Sequence, residues 1–189
     1  MVKNTDKSTP ANPKIEMKIA TIRKIASREK QENWDFRSML KASDLSQETI
    51  DTTAHEMYQE LKDQIDCTSC GHCCKTITPI ISEADIKRIA KFLNISVRST
   101  KQQWVTKHKQ MGMIFNNLPC PFLKNKKCSI YSARPYDCRS YPHLHKKKIL
   151  NYFTSIFSHI DMCPIVFHFY GGMKKKLLKK LDPEKTTWL

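Results

Sequence analysis

Apolar positions along the chain fall into helical stripes separated by cysteine- and proline-rich breaks. Ile15, Ile19, Ile22, Ile25 and Ala26 recur with a helical period and predict an amphipathic helix near the start. A stronger stripe of Ile50, Ala54, Met57, Tyr58, Leu61 and Ile65 predicts a helix over about 45–65. Asp44 is its expected N-cap, with Gln47 three residues on completing a capping box. That helix delivers the chain straight to Cys67. Ser82 with Asp85 starts another helix through Ile86, Ile89, Ala90 and Leu93, and Asn94 ends it. A further helix is expected over about 100–108, carrying Trp104 and Val105. From Leu118 to Pro142, four prolines and three cysteines interrupt any period. That stretch reads as irregular, with at most a short strand near Ile130. Residues 149–170 are apolar and aromatic without a clear period. Residues 173–181 interleave Leu177, Leu178 and Leu181 with five lysines.

The pattern predicts a mainly α-helical, small single domain with irregular loops, with room for a short β-hairpin, built around a metal centre. Its expected organisation is an arm and amphipathic helix extension over 1–44, a cysteine-cluster metal-binding domain over 45–170, and a basic tail over 171–189. Residues 1–13 are polar with two prolines and read as a loose arm. The helix after them is a docking helix, a partner-binding helix or a packed extension, the last being the commonest use of such a segment.

Composition narrows the function classes. With 40% hydrophobic and 27% charged residues, a chain of 189 residues can bury a core, so wholesale disorder is excluded. Four glycines, Gly71, Gly112, Gly171 and Gly172, are too few and too scattered for a phosphate-binding loop or a dinucleotide fingerprint. The 33 Lys plus Arg outnumber 18 Asp plus Glu, leaving +15. Residues 1–60 are balanced, so the whole excess falls on the cysteine-bearing remainder. The N-terminus lacks an apolar run of secretory type, and no stretch approaches the ~18 apolar residues of a membrane helix. The expectation is therefore a cytoplasmic protein with no membrane partner, whose eight cysteines stay reduced and bind metal rather than form disulfides.

The chemistry concentrates in Cys67-Thr-Ser-Cys70-Gly-His-Cys73-Cys74. Cysteines two residues apart place both sulfurs on one side of a tight turn, where they can grip one metal ion or one cluster face, and Gly71 permits the sharp bend there. C-x2-C-x2-C is the run with which bacterial-type ferredoxins hold a cubane cluster, a remote Cys-Pro completing the ligands. Two such partners exist, Cys120-Pro121 and Cys163-Pro164. Adjacent side chains diverge, so Cys74 is expected to point to a second site or to bridge. Cys120, Cys128, Cys138 and Cys163 suffice to complete two four-sulfur centres. One centre with spare or redox-active thiols is the other arrangement open at this stage. Structural zinc sites use two closely spaced ligand pairs. The wide intervals between the later cysteines lean the reading from zinc toward iron–sulfur.

The order Cys67-x2-Cys70-Gly-x-Cys73-Cys74, Cys120-Pro-Phe-Leu, Cys128-Ser-Ile-Tyr-x2-Arg134-Pro-x2-Cys138-Arg139-x-Tyr-Pro142 and Cys163-Pro resembles the CxxCxxCC proteins, the YkgJ-type cysteine-cluster family. Members are described as chelating zinc or iron, and a related cysteine domain occurs in flagellin lysine N-methylases. The resemblance covers about 67–164. It implies a cytoplasmic metal or iron–sulfur domain and names no substrate.

Around the later cysteines, Arg134 and Arg139 can balance thiolate charge, Pro135 and Pro142 stiffen the loop carrying Cys138, and Tyr131, Tyr136 and Tyr141 can cover a cluster. His72 is the histidine best placed to ligate or support a ligand, although an exposed loop residue is its commoner role. His143 and His145 precede Lys146, Lys147 and Lys148 and read as a solvated basic face. Three functions compete on this reading. The first is an iron–sulfur protein for redox or protein-modification chemistry; if an enzyme, it is an iron–sulfur-dependent oxidoreductase or methyl transferase. The second is a zinc-stabilised module binding nucleic acid or an acidic protein, with nucleic acid not favoured. The third is metal storage or delivery to a protein client. The expected ligands are Cys67, Cys70, Cys73, Cys74, Cys120, Cys128, Cys138 and Cys163.

Overall fold

In the computed structural model, the residues described are 15–181, so the arm expected over 1–13 lies outside them. The first stripe forms α1 (Ile19–Arg28). Ile15, ahead of it, packs on the core, and Ile22 and Ala26 are buried. Helix α2 (Lys30–Ala42) follows at once and buries Phe36 and Leu40. Helix α3 (Gln47–Gln64) is the long predicted helix, but its N-cap is Ser46, whose Oγ accepts from the Thr49 amide at 3.1 Å. Ser46 takes that role because its extended backbone directly precedes the first helical residue, where a side-chain oxygen reaches the free amides. Asp44 lies two residues upstream.

Two single-turn helices carry the first cysteines, α4 (Cys67–Cys70) and α5 (Cys73–Thr76). Helix α6 (Glu83–Leu93) begins where predicted, Ser82 and Asp85 forming a capping box, and ends at Asn94 in the left-handed conformation, φ 55°. Helix α7 (Val97–Trp104) corrects the expected helix over 100–108, because its last four residues are strand β1 (Val105–His108). Val105 and Thr106 are β-branched and pair with strand β2 (Gly112–Phe115), Val105 opposite Phe115. Gly112, φ 84°, supplies the turn.

A second hairpin joins β3 (Leu123–Lys124) to β4 (Lys127–Cys128). Asn125 and Lys126 both have positive φ, as a tight two-residue hairpin requires. The short strand expected near Ile130 is β4, two residues before it, and Ile130 itself is a buried residue leading into a 3-10 turn at Tyr131–Ala133. Helix α8 (Tyr136–Ser140) carries Cys138, and a 3-10 turn (Ile149–Tyr152) runs into α9 (Phe153–Phe157). The periodless apolar segment ends in α10 (Pro164–Leu181), with proline in the first helical position. The lysine-rich stretch is the second half of this helix. Met173 and Leu177 are buried there, and Lys174, also buried, donates to Glu32 at 2.8 Å.

The apolar residues form two cores. The larger gathers α1, α2, α3, α9 and α10 around Phe153, Phe169 and Tyr170. The smaller comprises Ile81, Ile86, Ile89, Phe115, Phe122, Ile130 and Ala133. Cys163 belongs to the larger core, whereas Cys120 and Cys128 pack against the smaller. The cysteines therefore lie along the seam between the two.

Candidate metal centre

Both cores contribute to one cavity of about 250 Å³, and all eight cysteines line it. The sequence builds each wall locally. Asp66 caps α4 by accepting from the Thr68 amide at 2.8 Å. Gly71 ends that turn with φ 57°, and a Cβ there would stand 2.6 Å from the carbonyl oxygen of Lys126. Only glycine combines this left-handed turn with so close an approach to the β3–β4 hairpin. Beyond α5, the Cys120 amide donates to the Cys74 carbonyl at 2.8 Å, which places the hairpin's first cysteine beside Cys74. Helix α3 contributes Tyr58, and Cys163 enters where α10 begins.

The loop carrying Cys138 is held by two carboxylates, Asp85, which sequence reasoning placed only at the start of α6, and Asp137, which it did not single out. Buried Asp85 accepts from Ser82, from Arg88 and from the Tyr136 amide at 2.9 Å, while Arg88 donates to the Arg134 carbonyl at 2.8 Å. The start of α6 thus grips the loop entering α8. Burial opposes ionisation of Asp85, but the hydrogen bonds from Ser82, Arg88 and Tyr136 outweigh it and hold its pKa below the usual carboxylate range. Asp137 lines the cavity and accepts from the Ile80 amide at 3.0 Å. Its contact with His143 at 3.2 Å is the main cause of its own lowered pKa.

Of the thiols, Cys163 is buried, Cys67 is exposed and the other six are half-buried. Burial pushes Cys120 and Cys163 up to about 11 and raises Cys67, Cys128 and Cys138 as well. Cys73 is raised chiefly by its hydrogen bond to Cys74, and the same bond lowers Cys74 to about 7. Thiols raised in this way stay neutral, and a bound metal would displace their protons. Among the described residues, no three His, Cys, Asp or Glu side chains converge closely enough to hold a single ion. The sulfurs surround a volume instead of meeting at a point.

Of the other predicted residues, Arg134, Arg139, Pro135, Pro142, Tyr131 and Tyr141 line the cavity. Arg134 stacks on Tyr131, 3.7 Å from the ring centre. Tyr136 is exposed and does not line it. His72, His143 and His145 are not on the wall either. The buried Nε2 of His72 has no hydrogen-bond partner, and burial, then Lys75 and Arg23, lower its pKa. His143 and His145 both bond Ser140, steadying α8 rather than facing the thiols. Sequence reasoning missed Tyr58 and Lys126 as wall residues. Tyr58 was findable, because it lies two helical turns before Ile65 on the stripe that leads to Cys67. Nothing in the sequence marked Lys126, which reaches the wall only through the hairpin turn.

Among the described residues no helix is long and apolar enough to cross a membrane. A 33% identity over 86 residues links the chain to an uncharacterized protein of Methanocaldococcus jannaschii, covering 41% of this chain and 43% of that protein. The chain therefore spans less than half the length of that relative. No solved structure matches. The family match begins one residue before Cys67 and takes in every cysteine except Cys163. Residues 66–156 match the model of the CxxCxxCC family, described as a "putative zinc- or iron-chelating domain".

Proposed function

We propose that this protein is an iron–sulfur protein whose cysteine cavity handles electrons in a reducing, cytoplasmic setting. The observation that carries this reading is one cavity of about 250 Å³ lined by eight thiols. A single ion needs far less room than that, since even a water molecule's share of liquid volume is roughly 30 Å³. Four sulfurs at ~2.3 Å around one zinc would also have to converge. A cluster bound by these cysteines would supply one-electron redox chemistry. The chain's own residues prepare for it. Arg134, Arg139 and Lys126 on the wall offset thiolate charge, and Tyr58, Phe122 and Tyr141 keep water away. A cavity walled by thiols suits electron transfer, and that is the activity this geometry favours.

Metal and acid-labile sulfide analysis of anaerobically purified protein, with its visible spectrum, tests the reading. Brown protein with matching iron and sulfide is expected. Colourless protein with stoichiometric zinc would refute it and favour the binding-module alternative. Cys70→Ser and Cys138→Ser should each lower metal content at least about twofold, within the range seen when ligand shells are disrupted. His143→Ala, outside the cavity wall, should leave metal content unchanged.

A further inference from the structure

We infer that the rim of the cysteine cavity is a docking surface for a small acidic protein that carries its own redox centre and exchanges one electron with the cluster. This inference rests on the iron–sulfur reading above and names the kind of partner that reading requires.

The cavity reaches the surface, because Cys67 lines it and is exposed. The charged side chains on its wall are Lys126, Arg134, Arg139 and Asp137. Asp137 is occupied by the Ile80 amide and His143, and Asp66, next to Cys67, accepts from the amide and hydroxyl of Thr68. Among the described residues, none of the three wall cations is in an ion pair. Lys126 and Arg139 are exposed, and the β3–β4 hairpin adds exposed Lys124 and Lys127. Those two lie off the wall, so their charge is not spent on thiolates. The rim thus offers positive charge to carboxylates from another molecule.

Two tyrosines add anchoring area. Tyr136, at 63%, is the most exposed large hydrophobic side chain described, and Tyr131 is 45% exposed. Each stands against one wall arginine, Arg134 lying 3.7 Å from the Tyr131 ring centre and Arg139 lying 5.9 Å from that of Tyr136. Tyr and Arg dominate the binding energy of protein interfaces. The backbone beneath them is already held, Tyr136 by Asp85 and Tyr131 by Arg134, which donates to its carbonyl at 2.8 Å. Little ordering cost is left for binding. Ile80, half exposed, continues the patch, since its amide donates to the residue after Tyr136.

This chemistry favours an acidic protein over nucleic acid. Arg134 covers a face of Tyr131 on which a base would have to stack, while exposed Arg139 presents a planar fork that suits a carboxylate. Charged rims steer partners into contact, and electron-transfer pairs bury less than about 1,200 Å². One electron passes from the reduced centre to the oxidised one, and neither protein forms or breaks a bond.

Iron and sulfide are measured first, on the full chain purified anaerobically. The iron-loaded protein is then mixed by stopped flow with acidic cytochrome b5, in both redox combinations so that one runs downhill, and with basic cytochrome c. The rate with the acidic cytochrome should saturate and should fall at least about tenfold from low to physiological salt, whereas the rate with the basic one should not fall. Tyr136→Ala should raise the half-saturating concentration about fivefold or more, with visible spectrum and plateau rate unchanged. Arg139→Gln should weaken docking as much and Arg139→Lys should restore part of it. Lys179→Gln removes the same charge about 22 Å along α10 from Pro164 and should match wild type. Equal effects of Arg139→Gln and Lys179→Gln, or the same salt response with both cytochromes, would overturn the docking surface and leave the iron–sulfur reading intact. Binding of single-stranded RNA that Tyr136→Ala abolishes would also overturn it, assigning the rim to nucleic acid. If Tyr136→Ala fails to fold, the arginine and lysine variants decide. Wild type without iron would sink the underlying reading itself.

Discussion

At Gly71 two demands coincide, a left-handed backbone and a hairpin carbonyl where a Cβ would sit. Gly112 has the first demand only, with nothing within 4 Å of a Cβ. A left-handed residue other than glycine costs roughly 1–2 kcal/mol. Gly112→Ala should therefore destabilise by about 1 kcal/mol, while Gly71→Ala should cost more than about 2 kcal/mol, because the hairpin must also retreat. Denaturant unfolding of the two metal-loaded variants measures the difference, and equal costs would show that the approach to Lys126 is soft. Asp85 is the other residue on which a loop depends. Its folded pKa is lowered, so its contribution is fully present above the unfolded carboxylate value, about 3.9, and is lost as pH falls below it. Asp85→Asn should cost about 2 kcal/mol at neutral pH and flatten the acid side of the stability curve. Unfolding midpoints from pH 7 to pH 3 test this; a variant curve parallel to wild type throughout would refute it. The capping role of Asp85 could be read from Ser82 three residues before it. Its hold on Tyr136 could not, since 51 residues separate them.

Helix boundaries show where local signals compete. Around α3 the sequence offers Asp44 and Ser46 as caps, and both are good capping residues. The chain starts the helix at Gln47, so Ser46→Ala should destabilise by about 1 kcal/mol and Asp44→Ala by much less, as thermal unfolding of the pair would show. Equal losses would return the cap to Asp44. Near Val105 the competition is between helix and strand. Trp104 and Val105 fit a helical period, yet the partner strand that starts at Gly112 draws the backbone away from it. Pairing depends on what lies opposite, which no single window of sequence contains. The lysine-rich end of α10 shows the reverse case. Residues 173–181 look like a solvated tail, but Met173 and Leu177 face the larger core and Lys174 is held by Glu29 and Glu32.

For the molecule as a whole, the consequence is a fold whose two cores share a sulfur-lined seam. The larger core can hold its helices by apolar packing. The smaller one has seven buried residues and is tied to the rest through the cysteine loops. Structural metal sites in small domains supply about 10 kcal/mol or more of folding free energy. Complete metal removal should lower the melting temperature by more than about 10 °C, with hydrogen-exchange protection lost first over residues 66–142. An unchanged melt after demetallation would refute a metal-dependent fold. By itself the sequence determined the helical class, the helix start at Ser82, the cluster from Cys67 to Cys74 and the need for more distant cysteines. Each of these follows from periodicity, or from residue types within a few positions of one another. Only the tertiary structure decided that Cys120, Cys128, Cys138 and Cys163 face the same cavity, and that Tyr58, Lys126 and Asp137 line it with them. Those placements are set by how two cores pack and by hydrogen bonds between distant segments, and the spacing of residues along a chain does not encode such contacts.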